Sequence, residues 1–334
     1  MRNIKVPIGK RIDNSADDYI EKPPAPTKSK KEEKKEELVF IPEDPKYSLD
    51  DIILPKDVKD KILDIVEYNE NSEKVFKIWG LEKTHKYSKR IGINLYGESG
   101  TGKTMAAHAI ANYLKRKILI VNYADIESKY VGETPKNIRR VFEVGKESKS
   151  IIFFDEADAI LSKRVTNMSN ATDVSVNQTR SVMLMLMNEY QDFIIFATNF
   201  IQNFDPAFMR RISMHVEFKL PDLECRKQLW NMYIPKEMPN NVNIDEISEK
   251  FDNISGSDIS NAVLNSAFKA ARRKLDIVDK ELFYEAVNDI LASKEANKKQ
   301  IIGKTTVKKE EISESEVPKD VLESVKNNEK GSEK

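Results

Sequence analysis

The sequence has 334 residues, in which 55 lysines and arginines balance 55 aspartates and glutamates. This neutral balance gives no overall field that would favour nucleic acid or a membrane surface as a partner. Cys225 is the sole cysteine, so an internal disulfide is excluded and a reducing compartment fits. The N-terminus lacks an apolar signal segment, and no apolar run approaches the roughly 18 residues that span a bilayer. We therefore expect a soluble, cytoplasmic protein with no membrane span.

Both ends of the chain are rich in charged residues and poor in large apolar ones. Residues 1–44 contain a proline cluster (Pro23, Pro24 and Pro26) and then a block of lysines and glutamates, while residues 293–334 are rich in lysine, glutamate and serine. Such segments do not bury enough apolar surface to fold alone. We predict disordered tails over 1–44 and 293–334.

Between the tails, short β-branched or aromatic runs alternate with amphipathic helical patterns. This alternation predicts an α/β domain over residues 45–219, with a parallel five-stranded sheet and helices on both of its faces. The predicted strands are Ile91–Tyr96, Lys117–Asn122, Ile151–Phe154, Phe193–Ala197 and Val216–Phe218. From 220 to 292 the pattern is only helical, which predicts a small α-helical domain with helices over Asp222–Tyr233, Ile244–Phe251, Ser257–Lys274 and Lys280–Ala292.

The segment after the first predicted strand reads Gly-Glu-Ser-Gly-Thr-Gly-Lys-Thr and fits the phosphate-loop pattern G-x-x-x-x-G-K-[ST]. Its glycines let backbone N–H groups turn around an anion, and the helix that follows adds its positive end. Lys103 would reach the β- and γ-phosphates, and the Thr104 hydroxyl would hold Mg²⁺. The fold is therefore predicted to be of the phosphate-loop NTPase type, and a nucleoside triphosphate with Mg²⁺ is the expected ligand. The predicted binding residues of this loop are Gly97, Glu98, Ser99, Gly100, Thr101, Gly102, Lys103, Thr104 and Met105.

Two carboxylates, Asp155 and Glu156, end the third predicted strand, at the edge where ligands bind in open α/β sheets. Asp155 suits a contact to Mg²⁺, and Glu156 suits the group that orients and polarises a water for attack on the γ-phosphate. The same run, Asp-Glu-Ala-Asp, is also the signature of a helicase family. That alternative requires a second motor domain with its own sheet, and the predicted strands stop at residue 218.

Two further polar groups follow the next strand. Asn199 offers an amide at the same edge of the sheet, where it would hold the attacking water or sense the γ-phosphate. Asp205 and Pro206 predict the N-cap and first residue of a short helix that ends in Arg210 and Arg211. Adjacent residues on a helix point in different directions. In a ring, one or both arginines would stabilise transition-state charge in a neighbour's site; the alternative is a solvated pair near a helix end.

The order of these motifs, followed by Ser-Gly-Ser-Asp-Ile at 255–259, resembles the AAA family of ATPases within the AAA+ superfamily, over residues 45 to 292. The resemblance implies an ATP-binding α/β domain with a helical lid, and assembly into a ring that is usually hexameric. It also implies that Asp51 and Ile52 lie near the adenine. Gly256 and Ser257 match the lid position that closes over the nucleotide in place of a second sensor arginine.

The sequence departs from many members of this family at two places. Ile53-Leu54 stands where a glycine pair is common, and Arg210-Arg211 lacks the wider Arg-x-Gly-Arg spacing. The adjacent arginines resemble the severing and sorting branch of the family, to which katanin and spastin belong.

One loop after the second predicted strand is similar to the first pore loop of AAA unfoldases. Its residues Lys129, Tyr130 and Val131 would meet a substrate polypeptide, and the faces of the tyrosine ring suit a grip that tolerates different side chains. Residues 166–173 are a candidate for a second loop in the same channel.

These features predict a ring-forming ATPase that remodels, unfolds or disassembles a protein substrate. The alternatives are a DNA-directed, loader-like AAA+ ATPase and a nucleotide-gated scaffold. The neutral charge and the aromatic pore-loop pattern argue against nucleic acid as the partner.

Overall fold

The structure, a computed structural model, describes residues 38–85, 91–127, 133–162 and 171–302. The chain divides into two units, Met1–Val39 and Phe40–Lys334, and all elements below belong to the second. Most residues of the two predicted tails lie outside the described ranges.

Five strands form one parallel sheet. They are β1 Ile91–Gly97, β2 Ile118–Asn122, β3 Ile151–Asp155, β4 Phe193–Thr198 and β5 Met214–Phe218, in the spatial order β2-β3-β4-β1-β5. The predicted five-stranded parallel sheet is thereby confirmed. Because the order reverses beside β1, the carboxyl ends of β1, β3 and β4 meet at a crevice, the usual ligand site of such sheets.

Helices surround the sheet, and further helices follow its last strand. The first group is α1 Lys56–Glu73, α2 Lys103–Tyr113, α3 Tyr123–Ile126, α4 Glu133–Ser148, α5 Asp158–Leu161, α6 Ala171–Glu189 and α7 Pro206–Met209. The second group, after the last strand, is α8 Leu223–Tyr233, α9 Ile244–Lys250, α10 Gly256–Arg272 and α11 Lys280–Ile302. Short 3-10 helices occur at Leu49–Asp51, Leu81–Lys83 and Ile201–Asn203, and a π-helical turn at Lys74–Ile78 follows α1.

Helices cover both faces of the sheet, which explains why β2, β3 and β4 read as nearly continuous apolar runs, whereas β1 and the edge strand β5 include polar residues. In β4, Phe193 and Ile195 join the cluster formed with α1 and α2, whereas Ile194 and Phe196 join the cluster formed with α4 and α6. The alternation of side chains along a strand thus serves two cores at once. This double packing fixes the ends of the strands, where the polar residues lie.

The helices after β5 form the lid and have a core of their own. Trp230 of α8 and Phe283 of α11 are fully buried at its centre, with ring centroids 6.2 Å apart. Helix α11 continues to Ile302, beyond the predicted end near Ala292. The extension reads Ser-Lys-Glu-Ala-Asn-Lys-Lys-Gln-Ile-Ile, in which lysine is the commonest residue. Lysine, glutamate, alanine and glutamine favour helix, and an existing helix is extended easily because nucleation has already occurred.

Candidate active site

The phosphate loop connects the end of β1 to the start of α2. A side chain at Gly97 is excluded, because a Cβ there would lie 2.1 Å from the carbonyl oxygen of Phe218 on the neighbouring strand β5. Gly100 has a φ of 77°, in the left-handed region that glycine tolerates. The hydroxyl of Thr101 closes the turn by donating to the carbonyl of Glu98 at 2.8 Å. The loop therefore bends tightly enough to bring the first residues of α2 under it.

Lys103 is buried beneath the loop with its ammonium fully engaged. Its Nζ donates to the carbonyl oxygens of Gly97 and Glu98 at 2.9 and 2.8 Å, and to Oδ1 of Asn199 at 2.8 Å. Burial lowers the pKa of Lys103, while the nearby carboxylates of Asp155, Asp158 and Glu98 act in the opposite direction. The amine is thus held at the centre of the site by groups from both sides of the loop.

Thr104 and Asp155 bring two oxygen ligands together across the crevice. The Thr104 hydroxyl donates to Oδ2 of Asp155 at 3.0 Å, which joins the start of α2 to the end of β3. Hard oxygen donors of this kind fit Mg²⁺, which commonly binds through one or two carboxylates together with water and phosphate oxygens. These two residues could therefore hold the ion between α2 and β3.

Glu156 follows Asp155 with a left-handed backbone, at a φ of 49°. This conformation costs a non-glycine residue on the order of 1–3 kcal/mol and is concentrated at functional sites. The turn is held because the N–H of Glu156 donates to Oδ1 of Asp155 at 2.9 Å, and the N–H of Ala157 to the carbonyl of Ala197 at 2.9 Å. The carboxylate of Glu156 is exposed at the wall of the cavity.

Asp158 and Thr198 support this edge from behind, and sequence reasoning did not include either residue in the site. The Thr198 hydroxyl donates to the Asp158 carboxylate and accepts from the N–H of Phe200 at 2.9 Å. Burial raises the pKa of Asp158, while the N–H groups of Asn199 and Phe200 counteract this. The pair ties the end of β4 to the turn after β3. The sequence could have indicated Asp158, because it is the last residue of the Asp-Glu-Ala-Asp run.

The lid closes one side of the cavity through the first turn of α10. The N–H of Ser257 donates to the carbonyl oxygen of Gly100 at 3.2 Å, so lid and phosphate loop touch directly. The cavity between them measures about 380 Å³. Its predicted lining residues are Asp51, Ile52, Ser99, Gly100, Thr101, Gly102, Lys103, Thr104, Met105, Asp155, Glu156, Asn199, Gly256 and Ser257. Gly97 and Glu98 contribute instead through their carbonyls to Lys103.

Part of the cavity wall was not foreseen. The additional lining residues come from the segment after Ile52, from the linker after β5 and from α8; they are Ile53, Leu54, Pro55, Lys219, Pro221, Leu229, Met232 and Tyr233. Most are apolar, so this end of the cavity suits a flat, weakly polar group and the phosphate-loop end suits the anion. The helical pattern of α8 was visible in the sequence, but the position of this helix at the wall of the cavity was not.

The two arginines after β4 have different surroundings. Asp205 caps α7 by accepting from the N–H of Ala207 at 2.7 Å, as predicted. The Arg211 guanidinium donates to Oδ1 of Asn188 at 3.0 Å and to the carbonyl oxygen of Ala207 at 2.8 Å. The Arg210 side chain is exposed. Neither arginine is among the described residues that line the cavity of their own chain.

The predicted pore-loop residues Lys129, Tyr130 and Val131 lie outside the described residues, so their role stays a prediction. The candidate second loop, 166–173, also lies outside them up to residue 170. In the part of the chain that the structure describes, no helix has both the length and the apolar character that crossing a membrane requires.

Known proteins resemble this chain over the same two regions. Residues 93–220 match the model of the ATPase family associated with various cellular activities (AAA), and residues 241–285 match the AAA+ lid domain. The 26S proteasome regulatory subunit 4 homolog of Dictyostelium discoideum is 34% identical over 216 residues, covering 61% of this chain and 48% of that protein.

Two archaeal relatives extend the match. The proteasome-activating nucleotidase of Saccharolobus solfataricus is 32% identical over 238 residues, covering 69% of this chain and 59% of that protein. Cell division protein C of Sulfolobus acidocaldarius is 33% identical over 248 residues, covering 71% of this chain and 63% of that protein. The chain thus spans about half to three-fifths of the curated relatives it matches. The chain therefore carries an ATPase domain of the AAA family followed by an AAA+ lid domain.

Proposed function

We propose that this chain binds ATP between the phosphate loop and the lid, hydrolyses it, and uses the energy as one subunit of a ring to remodel or unfold a protein. An ATPase domain over 45–219 and a lid over 220–292 would form one nucleotide site. The observation that carries the proposal is the position of Lys103, which contacts the phosphate loop and Asn199 at once. An unused glycine-rich turn has no reason to bury an ammonium there, since burial of a charge is costly.

In this mechanism Lys103 binds the phosphates by exchanging one of its hydrogen-bond partners for a phosphate oxygen. The three N–H groups of Lys103 donate to two backbone carbonyl oxygens and to the side-chain amide oxygen of Asn199. A phosphate oxygen must therefore replace at least one of these acceptors. Asn199 is the partner best placed for that exchange, because its side chain is free to turn toward a water or a phosphate once released. The same exchange would couple the orientation of Asn199, at the end of β4, to the presence of the γ-phosphate.

Thr104 and Asp155 would hold Mg²⁺ by their hydroxyl and carboxylate oxygens. When bound, the ion neutralises charge on the β- and γ-phosphate oxygens. The bond between these two side chains keeps both oxygens oriented to the same place, so their reorganisation on binding is small.

Glu156 would accept the proton of the attacking water. The left-handed backbone at Glu156 turns the chain away from the direction of β3. The carboxylate of Asp155 would therefore contact the ion, and that of Glu156 would contact the water. A positioned general base typically contributes about 10²- to 10⁴-fold in rate.

Assembly into a ring and action on protein are proposed together. Two of the relatives carry names that refer to the proteasome, which supports a protein substrate over a nucleic acid one. A ring, hexameric in the usual form of the family, gives the exposed Arg210 a site to complete. Tyr130 is the residue we propose to grip the substrate in the channel.

The replacement of Glu156 by glutamine tests the hydrolytic part. We expect E156Q to bind a fluorescent ATP analogue within about twofold of the unaltered chain and to release phosphate at least about 100-fold more slowly. Exposed Glu147, on α4, provides the control, since E147Q should turn over normally. Full turnover by E156Q would reject the assignment.

The trapped variant should also retain protein partners on crosslinking, whereas salt-sensitive retention of DNA would favour the DNA-directed alternative.

A further inference from the structure

The last part of α11 reaches back to the start of α10. Lys294 lies beyond the region that matches the AAA+ lid domain, which ends at residue 285. Its ammonium forms an ion pair with the carboxylate of Asp258, in the first turn of α10. The extension of α11 therefore contacts the part of the lid that faces the nucleotide cavity.

The carboxylate of Asp258 is the centre of this contact. Its Oδ2 accepts from the N–H and the hydroxyl of Ser255, at 2.6 and 2.7 Å, and from Nζ of Lys294. In return the N–H of Asp258 donates to the Ser255 hydroxyl at 3.3 Å, which completes a capping box. Three donors thus converge on a single oxygen.

Asp258 has little access to water, because its side chain is only 10% exposed, and that of Lys294 is 38% exposed. A buried carboxylate needs an opposite charge or several donors to stay ionised at low cost. Among the described residues, Lys294 is the cation that forms an ion pair with it. Loss of the ammonium would leave the charge of the capping box partly uncompensated.

The capping box lies directly on the phosphate loop. A Cβ placed on Gly100 would be 2.7 Å from the Ser255 hydroxyl and 2.9 Å from Cβ of Ser257, so the two segments are in close contact. Ser257 also donates to the carbonyl of Gly100. A shift of the first turn of α10 would therefore move Ser257 relative to the phosphate loop.

We propose that Lys294 is a positioning residue that fixes residues 255–257 against the phosphate loop, so that the C-terminal end of α11 controls how tightly the site holds nucleotide. The inference rests on the proposed function, since it assumes that ATP binds in this cavity. Lys294 acts through Asp258 and is not expected to touch the nucleotide. Its loss should therefore weaken ATP binding more than it slows the chemical step.

The chain offers a matched control in a second ion pair between the same two helices. Lys269 of α10 contacts Glu285 and Asp289 of α11 at 2.9 and 2.6 Å. This cluster also joins α10 to α11, but Lys269 is near the C-terminal end of α10, away from the capping box. K269M removes helix-to-helix ion pairs without removing the contact to Asp258.

The experiment measures binding of mant-ATP with Mg²⁺ to full-length chains that all carry E156Q, and turnover in chains that do not. We expect K294M to raise the Kd three- to tenfold and to raise KM likewise, with kcat within about twofold. K294R should bind as the parent does, because it keeps the charge, and K269M should also keep the parent Kd. Thermal unfolding of each variant shows how far it has lost stability.

An unchanged Kd for K294M would overturn the proposal, and so would an equal rise for K269M, which would indicate general loosening of the lid. Failure of the parent chain to bind mant-ATP at all would instead overturn the proposed function. The two failures are therefore distinguishable in one titration series.

Discussion

Adjacent residues with the same side chain need not share a role, and Arg210 and Arg211 show why. Arg211 is held within its own subunit by Asn188 and by the carbonyl of Ala207. An arginine that stabilises charge in a neighbouring site has to be available for that site. The exposed Arg210 meets this requirement, so we propose it as the group that would act between subunits of the proposed ring.

We predict that R210A retains ATP binding and folding but lowers turnover about 10³-fold or more, the usual effect of losing such an arginine. R211A should lower the free energy of unfolding by about 1 kcal/mol, because two hydrogen bonds are lost at a partly exposed position. Phosphate release and urea unfolding of both variants check this assignment. Normal turnover of R210A beside an inactive, well-folded R211A would reverse it.

The residues of the site differ in how far sequence could predict them. Lys103, Thr104, Asp155 and Glu156 follow from short local patterns at the ends of strands, and parallel strands bring those ends together. The different surroundings of Arg210 and Arg211 depend on Asn188, which lies on another helix, so no local pattern could reveal them. The relation to the katanin and spastin branch stays a prediction.

At the scale of elements, the same reasoning explains which predictions succeeded. Strands β2, β3 and β4 were predicted because burial on both faces leaves a nearly continuous apolar run in the sequence. Strands β1 and β5 include polar residues, and they were predicted from their β-branched and aromatic residues. The wall of the cavity formed by Pro221, Leu229 and Tyr233 was missed because it depends on the angle at which the lid meets the sheet domain. The extension of α11 was missed because charged residues that favour helix were interpreted as a tail.

Arg226 of α8 helps to fix the angle between the lid and the sheet domain. This side chain is 7% exposed, and it donates to the carbonyl oxygens of Ser248 on α9 and Pro221 in the linker, at 3.0 and 2.7 Å. Pro221 lines the cavity. A single guanidinium thus links two helices of the lid to the segment that joins it to β5.

We predict that R226M destabilises the chain by about 2–4 kcal/mol, because two buried carbonyls lose their donors. The apparent affinity for ATP should fall as well, since the linker at the cavity is no longer fixed. K227M is the neighbouring control; Lys227 pairs with the exposed Asp245 at 2.8 Å, and its loss should cost less than about 1 kcal/mol. Urea unfolding and mant-ATP titration measure both effects. Equal stability of the two variants would contradict the role of Arg226.

At the scale of the whole molecule, we propose that one chain alone does not complete the site. The described residues that line the cavity include Glu156 but neither arginine of the pair. If a neighbour supplies Arg210, the catalytic glutamate and the arginine of each working site belong to different chains. Two variants that are inactive alone would then carry complementary defects, because E156Q keeps the arginine and R210A keeps the glutamate.

Mixing the two variants tests this arrangement directly. In a randomly mixed ring, half of the sites contain an intact Glu156, and half of those face a neighbour with an intact Arg210. We therefore predict that a 1:1 mixture regains up to about a quarter of the sites of the unaltered ring. Phosphate release by the mixture, compared with each variant alone at the same total concentration, measures the recovery. A mixture of E156Q with an E156Q/R210A double variant is the control, since no site in it has the glutamate. Absence of recovery in a mixture that assembles would show that each subunit completes its own site, and Arg210 would then have to act within its own chain or not at all.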